Sequence, residues 1–324
     1  MSAPGMPAGG LLAVHAHPDD ETLATGALLA TWADARRRVT VVTCTRGERG
    51  EVVDTASHPT GLEHLEGDGP ALAAHRESEL AAALAALGVT DHAFLDTLPV
   101  PSGERYEDSG MAWVAPGIAG PAPDSGPAAF SRVPLDEAAA RLAAVVRDRR
   151  PAVVATYEPG GGYGHPDHVR THEVTVRALD LAGDPAAPLP GEPWSADLWQ
   201  AVAPAHELRA ARESLAESPT VRALADRAGL AFPAPDGALP PVARGVDELD
   251  GRTAAVAARP VLDRLLGAMR AHATQVQHAL ALPPTEAGGP VPGVVGCYAL
   301  SNGVLAPVLA HESYLTSAPV GSRR

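Results

Sequence analysis

No lysine occurs among the 324 residues; every basic side chain is arginine. A Walker-type phosphate loop and a Schiff-base lysine both need an ammonium, so neither chemistry is open to this chain. Cysteine is nearly as scarce. Cys44 and Cys297 stand far apart, which allows one disulfide but no disulfide framework. Aromatic residues are only 4%, so the core must rest on Ala, Val and Leu. No apolar run is long enough to span a bilayer, and no basic segment precedes an apolar signal-like run. Residues 9–15 read better as a first strand, and a soluble, cytoplasmic protein is expected. Positive charge is also in deficit. A formal net charge of −14 argues against a nucleic-acid or anionic-membrane partner and favours a neutral or polar small molecule.

What is present suffices for a packed core: 45% of residues are hydrophobic and 20% charged. Residues 11–15 form a short apolar run before a turn, and 21–36 carry helical spacing. Residues 39–44 are apolar and β-branched, like a buried parallel strand. An Ala/Leu helix over 77–87 ends at Gly88, as helices often do. A weak strand follows at 93–95, a helix at 135–148, an apolar strand at 152–156 and a helix at 168–182. This alternation predicts an α/β fold, Rossmann-like, with a mostly parallel sheet and helices on both faces. Two long connections, 46–70 and 96–134, have the composition of functional lids. Beyond 183, the Pro- and Gly-rich stretches 183–193, 232–241 and 283–292 separate helical pieces such as 206–218 and 261–277. Without a convincing linker, we read 1–324 as a single domain. Residues 1–182 form its sheet core, and 183–324 a C-terminal α/β addition that completes the substrate pocket.

Two segments carry chemistry. The first is His15-Ala16-His17-Pro18-Asp19-Asp20-Glu21, after strand one and opening a helix. Ligands of open α/β sheets bind at the carboxyl ends of strands, so the position is privileged. A dinucleotide site would place glycines here; imidazoles and carboxylates are built for a cation instead. His17 and Asp20 are one turn apart and can face one point, and a nearby carboxylate outside the coordination shell can take a proton from water there. The competing assignment makes Asp19 or Asp20 a helix N-cap. The second segment is Tyr157-Glu158-Pro159-Gly160-Gly161-Gly162-Tyr163-Gly164-His165-Pro166-Asp167-His168, again strand end, turn and helix start. His165 and His168 can point to one site, with His172 one turn further; surface histidines on a capped helix are the bland alternative. Two His-Pro-Asp segments at two strand ends outweigh it.

These motifs resemble the PIG-L/LmbE-like family of metal-dependent de-N-acetylases. Further stretches resemble one branch, the bacterial N-acetylglucosaminyl-inositol deacetylases of mycothiol biosynthesis. They are 42–51 (Val-Thr-Cys-Thr-Arg-Gly-Glu-Arg-Gly-Glu), Arg76 before an Ala/Leu helix, 108–111 (Asp-Ser-Gly-Met), 161–168, 271–275 (Ala-His-Ala-Thr-Gln) and 300–302 (Leu-Ser-Asn). The likeness runs over most of the chain and weakens between about 198 and 252.

The resemblance implies a hydrolase that removes the acetyl group from a small amino-sugar substrate. His17, Asp20 and His168 would hold one zinc per subunit, ferrous iron suiting the same donors. Asp19 would be the general base. His165, oriented by Asp167, would assist the leaving amine or the developing oxyanion, and Tyr163 would polarise the acetamide carbonyl. Arg76 and Asp108 would hold sugar hydroxyls, and Glu51 would reach the inositol side. A sister branch, the mycothiol S-conjugate amidases, typically has Ser-Lys after the first motif and a proline before the second histidine. Here Thr22, Leu23 and Ala24 follow the first, and Gly164 precedes His165. Both departures favour the sugar deacetylase.

Overall fold

The computed structural model describes residues 7–98, 105–115, 118–249, 253–283 and 293–317. The first half alternates as its apolar runs predict: β1 (Gly10–His15), α1 (Asp20–Asp34), β2 (Val39–Thr43), α2 (Gly69–Leu87) and β3 (Asp91–Phe94). A hairpin of β4 (Met111–Ala115) and β5 (Ile118–Pro121) interrupts the long second connection. Then come α3 (Leu135–Arg149), β6 (Pro151–Tyr157), the single turn α4 (Gly161–Gly164) and α5 (Pro166–Gly183). The C-terminal part adds β7 (Asp197–Pro204), α6 (Ala205–Glu217), α7 (Pro219–Ala228), β8 (Ala243–Arg244) and β9 (Thr253–Ala257). It ends with α8 (Leu262–Ala271), β10 (Gln277–Ala281), β11 (Val294–Ala299), β12 (Leu305–Leu309) and β13 (His311–Thr316).

The main sheet runs β3-β2-β1-β6-β7-β13-β9, with β8 paired to the end of β7. Its first five strands are parallel; β13 runs antiparallel to both β7 and β9. The sheet therefore continues well past residue 182, and the C-terminal addition shares it. A separate antiparallel sheet, β10-β11-β12, packs beneath α6 and α7.

Alternate residues of each strand feed opposite faces. Leu11, Ala13, Val39, Val41, Val153 and Ala155 pack with α1, α2 and α8. Leu12, Val14, Val42 and Val154 pack with α3 and α5. Alanine lines much of both interfaces, as the shortage of aromatics requires. Cys44 and Cys297 are both buried free thiols, so the allowed disulfide is not formed.

Two helix boundaries depart from the sequence reading. α2 begins at Gly69, about two turns before 77, because the Asp68 side chain accepts the Ala71 N–H and Pro70 occupies the first turn. Arg76 therefore lies inside a helix rather than ahead of one. α8 stops at Ala271 instead of continuing to 277, as His272 leaves helical geometry (φ −82°, ψ 53°) and Gln277 opens β10. Of the Pro/Gly-rich stretch 283–292, residues 284–292 lie outside the described residues, as do 99–104 and 116–117 of the second long connection.

Candidate metal centre

β1 and β6 are hydrogen-bonded neighbours, with Ala13 paired to Ala155, so their carboxyl ends lie side by side. That adjacency brings the two His-Pro-Asp turns together. Nδ1 of His17, Oδ2 of Asp20 and Nε2 of His168 form a triangle whose three edges are each 3.3 Å. Tetrahedral zinc with bonds of 2.0–2.1 Å requires ligand separations of about 3.3–3.4 Å, so these donors fit the ion.

The other nitrogen of each imidazole is committed elsewhere, which turns the lone pairs inward. Nε2 of His17 faces Oδ2 of Asp167 at 3.2 Å and Oδ1 of Asp108 at 3.6 Å. Nδ1 of His168 lies 3.2 Å from the Gly161 carbonyl, and its ring stacks on Tyr157 at 4.3 Å. Burial disfavours charge on His17, yet Asp108, Asp167 and Asp20 outweigh it and hold its pKa well above the usual value. The pocket attracts positive charge.

His165 also lies within 4.8 Å of His17 and His168, and Asp108 and Asp167 within the same distance of His17. His165 is differently engaged, however. It caps α5, and its Nδ1 accepts the Asp167 backbone N–H at 3.1 Å. The ring's proton therefore resides on Nε2. Burial, then the fields of His17 and His168, push its pKa well down, so it is a neutral N–H donor. The carboxylate of Asp167 is fully buried and turns to His17, not to His165 as the resemblance implied. Ser109 fixes it there, donating its N–H at 2.8 Å and its hydroxyl to the other oxygen.

Asp19 is the N-cap residue of α1, but its side chain makes no capping bond. Its φ of 118° lies in a region that non-glycine residues seldom occupy. The carboxylate accepts from Nη2 of Arg76 at 3.2 Å, and burial pushes its pKa up to about 7 against the pull of Arg76. Arg76 is buried. Its terminal nitrogens also donate to the carbonyls of Gly47, at 2.6 Å, and Pro18. Gly47 has φ 65°, and a Cβ there would lie 2.1 Å from Nη1 of Arg76, so glycine is required at this contact. The structure thus spends Nη2 of Arg76 on the turn that carries Asp19 and Nη1 on the loop after β2.

Asp108 is buried beside His17 and accepts the N–H groups of Gly110 at 2.8 Å and Arg49 at 3.2 Å. Glu51 is exposed, and its carbonyl accepts from Gln275. The Tyr163 ring stands 5.0 Å from that of His168 and 5.9 Å from that of Trp113, and covers the cluster. Gly164, with φ 94°, lets this turn press on β5: a Cβ there would be 2.7 Å from the Ala119 carbonyl oxygen. His172 is spent on the Tyr157 carbonyl at 2.9 Å and stands outside the cluster.

Residue-level reading missed Tyr157, whose hydroxyl accepts the Ala16 N–H at 2.9 Å, and Ser109. Tyr157 ends an apolar strand directly before the glycine turn, a signal that was visible; nothing local distinguishes Ser109.

Comparison with known proteins agrees with this geometry. The model of the PIG-L family, described as GlcNAc-PI de-N-acetylase, matches residues 12–179. A curated relative from Kineococcus radiotolerans is 45% identical over 94% of this chain and 76% of its own length. Another, from Streptomyces avermitilis, is 42% identical over 94% of this chain and 90% of its own. Both are named 1D-myo-inositol 2-acetamido-2-deoxy-α-D-glucopyranoside deacetylase. Among solved structures, the 4-carboxy-2-hydroxymuconate hydratase of Pseudomonas putida has a TM-score of 0.52 at 14% identity, covering 98% of this chain and 99% of that one. At that identity only the fold is shared. On the family model, the near-full-length relatives and the two His-Pro-Asp turns that meet in space, this chain belongs to the PIG-L family.

Proposed function

We propose that this chain hydrolyses the N-acetyl group of N-acetylglucosaminyl-inositol, releasing acetate and glucosaminyl-inositol, a step of mycothiol biosynthesis. The names of the curated relatives support the substrate. The observation that carries the chemistry is the 3.3 Å triangle of His17, Asp20 and His168, with the Asp19 carboxylate held beside it by Arg76. We assign zinc to the three donors, one ion per subunit. When bound, it would act as a Lewis acid on the carbonyl and make water acidic enough to attack near neutral pH.

The protein groups divide the remaining work. Asp19, turned away from its cap and raised toward neutrality, accepts the proton of the attacking water. His165 donates Nε2–H to the carbonyl oxygen as negative charge develops there, while the Tyr163 ring covers the site and its hydroxyl can join that bond. The C–N bond then breaks, and the proton collected by Asp19 is available to the departing amine. Asp167 keeps its carboxylate on His17 and so aims a ligand. In this scheme Arg76 positions Asp19, and Asp108 and Glu51 are the groups we assign to sugar and inositol hydroxyls.

The test is acetate release from N-acetylglucosaminyl-inositol, with metal analysis of the same sample. Turnover should vanish on chelation and return with zinc. Metal-loaded protein that releases no acetate overturns the proposal. Faster cleavage of a mycothiol–bimane conjugate would move it to the amidase branch.

A further inference from the structure

A closed circuit of side chains links the end of α8 to Asp19. His272, where α8 ends, is fully buried, and its Nε2 lies 2.8 Å from Oε1 of Glu21, itself fully buried. Oε2 of Glu21 accepts the backbone N–H of Asp19 at 3.0 Å. Two residues beyond His272, Thr274 donates its N–H at 2.8 Å and its hydroxyl at 2.6 Å to Glu79. Glu79 sits on α2 one turn from Arg76, whose guanidinium returns to the Asp19 carboxylate. The same turn anchors the loop after β2, through Val53 N–H to the Thr274 carbonyl at 2.8 Å and Gln275 to the Glu51 carbonyl at 3.0 Å.

Asp19 needs such support. A non-glycine residue at φ 118° is strained, by about 1–3 kcal/mol, and persists only where its surroundings over-determine it. Glu21 holds the Asp19 N–H, and Arg76 holds its carboxylate and the Pro18 carbonyl. Glu21 is itself a carboxylate removed from water and keeps its orientation through His272 and the Thr22 hydroxyl. Nδ1 of His272 is buried without a partner. An unsatisfied buried polar atom costs about 1–3 kcal/mol, a cost that an apolar residue ending α8 would avoid.

We propose that His272 is a positioning residue for the hydrolysis: acting through Glu21, it holds the strained Asp19 turn, so the C-terminal part of the chain orients the base carried by the first β–α connection. Its catalytic half rests on the hydrolase reading above. His272→Ala should lower kcat about 10–100-fold, the scale of an ångström-level displacement of a reacting group. KM should stay within about twofold, and bound metal should be unchanged. His272→Gln, which retains a donor for Glu21, should recover part of the loss. Combined with Asp19→Ala, the His272→Ala change should cost nothing more, since the group it positions is gone. Losses that multiply in the double variant, an unchanged kcat, or metal loss in parallel with kcat would each overturn the proposal. Should His272→Ala not fold, Thr274→Val loosens the same turn and should follow the same pattern more weakly. A crystal structure of either variant reads the proposal without turnover. Asp19 relaxing to negative φ supports it, and Asp19 unchanged near 118° overturns it, even if the parent protein proves inactive on this substrate.

Discussion

Replacing Asp167 by asparagine removes one charge from a fully buried side chain while keeping its shape. Oδ2 of Asp167 receives the Ser109 N–H at 2.8 Å and faces Nε2 of His17 at 3.2 Å. The amide oxygen of asparagine can take that place. Its NH2 then faces the Ser109 hydroxyl, which can rotate to accept and has Ser131 as a further partner at 2.8 Å. The hydrogen-bond count survives, and what is lost is charge assistance to His17. Bonds to charged groups contribute about 1.5–3 kcal/mol and neutral ones about 1, so the deficit is about 0.5–2 kcal/mol. That corresponds to roughly 2–30-fold in metal affinity, overlapping at its upper end the 10–100-fold typical of groups that orient a metal ligand. Zinc competition against a chromophoric chelator measures it directly. Thermal unfolding in zinc-buffered and zinc-free solution gives an independent reading, because ligand-linked stabilisation follows RT ln(1 + [L]/Kd). The metal-free protein should change less. His17, whose pKa is held up in the metal-free protein, loses one of its carboxylate partners but keeps Asp20 and Asp108, so Tm should fall by less than in the zinc-loaded form. An unchanged zinc affinity, or equal destabilisation of both forms, would refute the assignment of Asp167 to His17.

Three further outcomes follow from the same geometry. Asp19→Ala should retain zinc and lose about 10²–10⁴-fold in kcat, by parallel metal analysis and acetate assay; full activity would remove Asp19 as the base. Gly164→Ala forces a Cβ to 2.7 Å from the Ala119 carbonyl oxygen at φ 94°, and should cost more than the ~1 kcal/mol on which point substitutions centre and shift Tyr163, seen as a lower Tm together with lower kcat. Glu312 of β13 accepts the N–H groups of Ala27 and Leu28 in α1, and burial pushes its pKa up to about 7 from 4.5. The native state therefore holds this proton more tightly than the unfolded chain. The resulting stabilisation is complete below about 4.5 and is lost as pH rises through about 7. Denaturant unfolding across that window should show a flatter pH dependence in Glu312→Gln than in the parent, and identical slopes would dismiss the assignment.

The sequence alone determined the parts whose signals are local. Parallel strands buried on both faces read as continuous apolar runs, so β1, β2 and β6 were visible, and so were the His-Pro-Asp turns at two strand ends. The strands of the C-terminal addition were not. β7, β9 and β13 lie where the sheet turns antiparallel: Gln200 interrupts the apolar run of β7, β9 is mostly alanine, and β13 mixes His, Glu, Ser and Thr with two apolar residues. Tertiary structure decided everything that depends on which strands are neighbours. Only the pairing of β1 with β6 places His168 against His17, 151 residues away, and no periodicity encodes that adjacency. It also decided which way side chains turned. Asp167 could serve either histidine until Ser109 pinned it to His17, and Arg76 reads as a helix-start charge until α2 is seen to begin at Gly69 and bury it. Chemistry written in residue types survives translation from one dimension. The direction of a lone pair does not, because it is set by partners that folding brings from elsewhere in the chain.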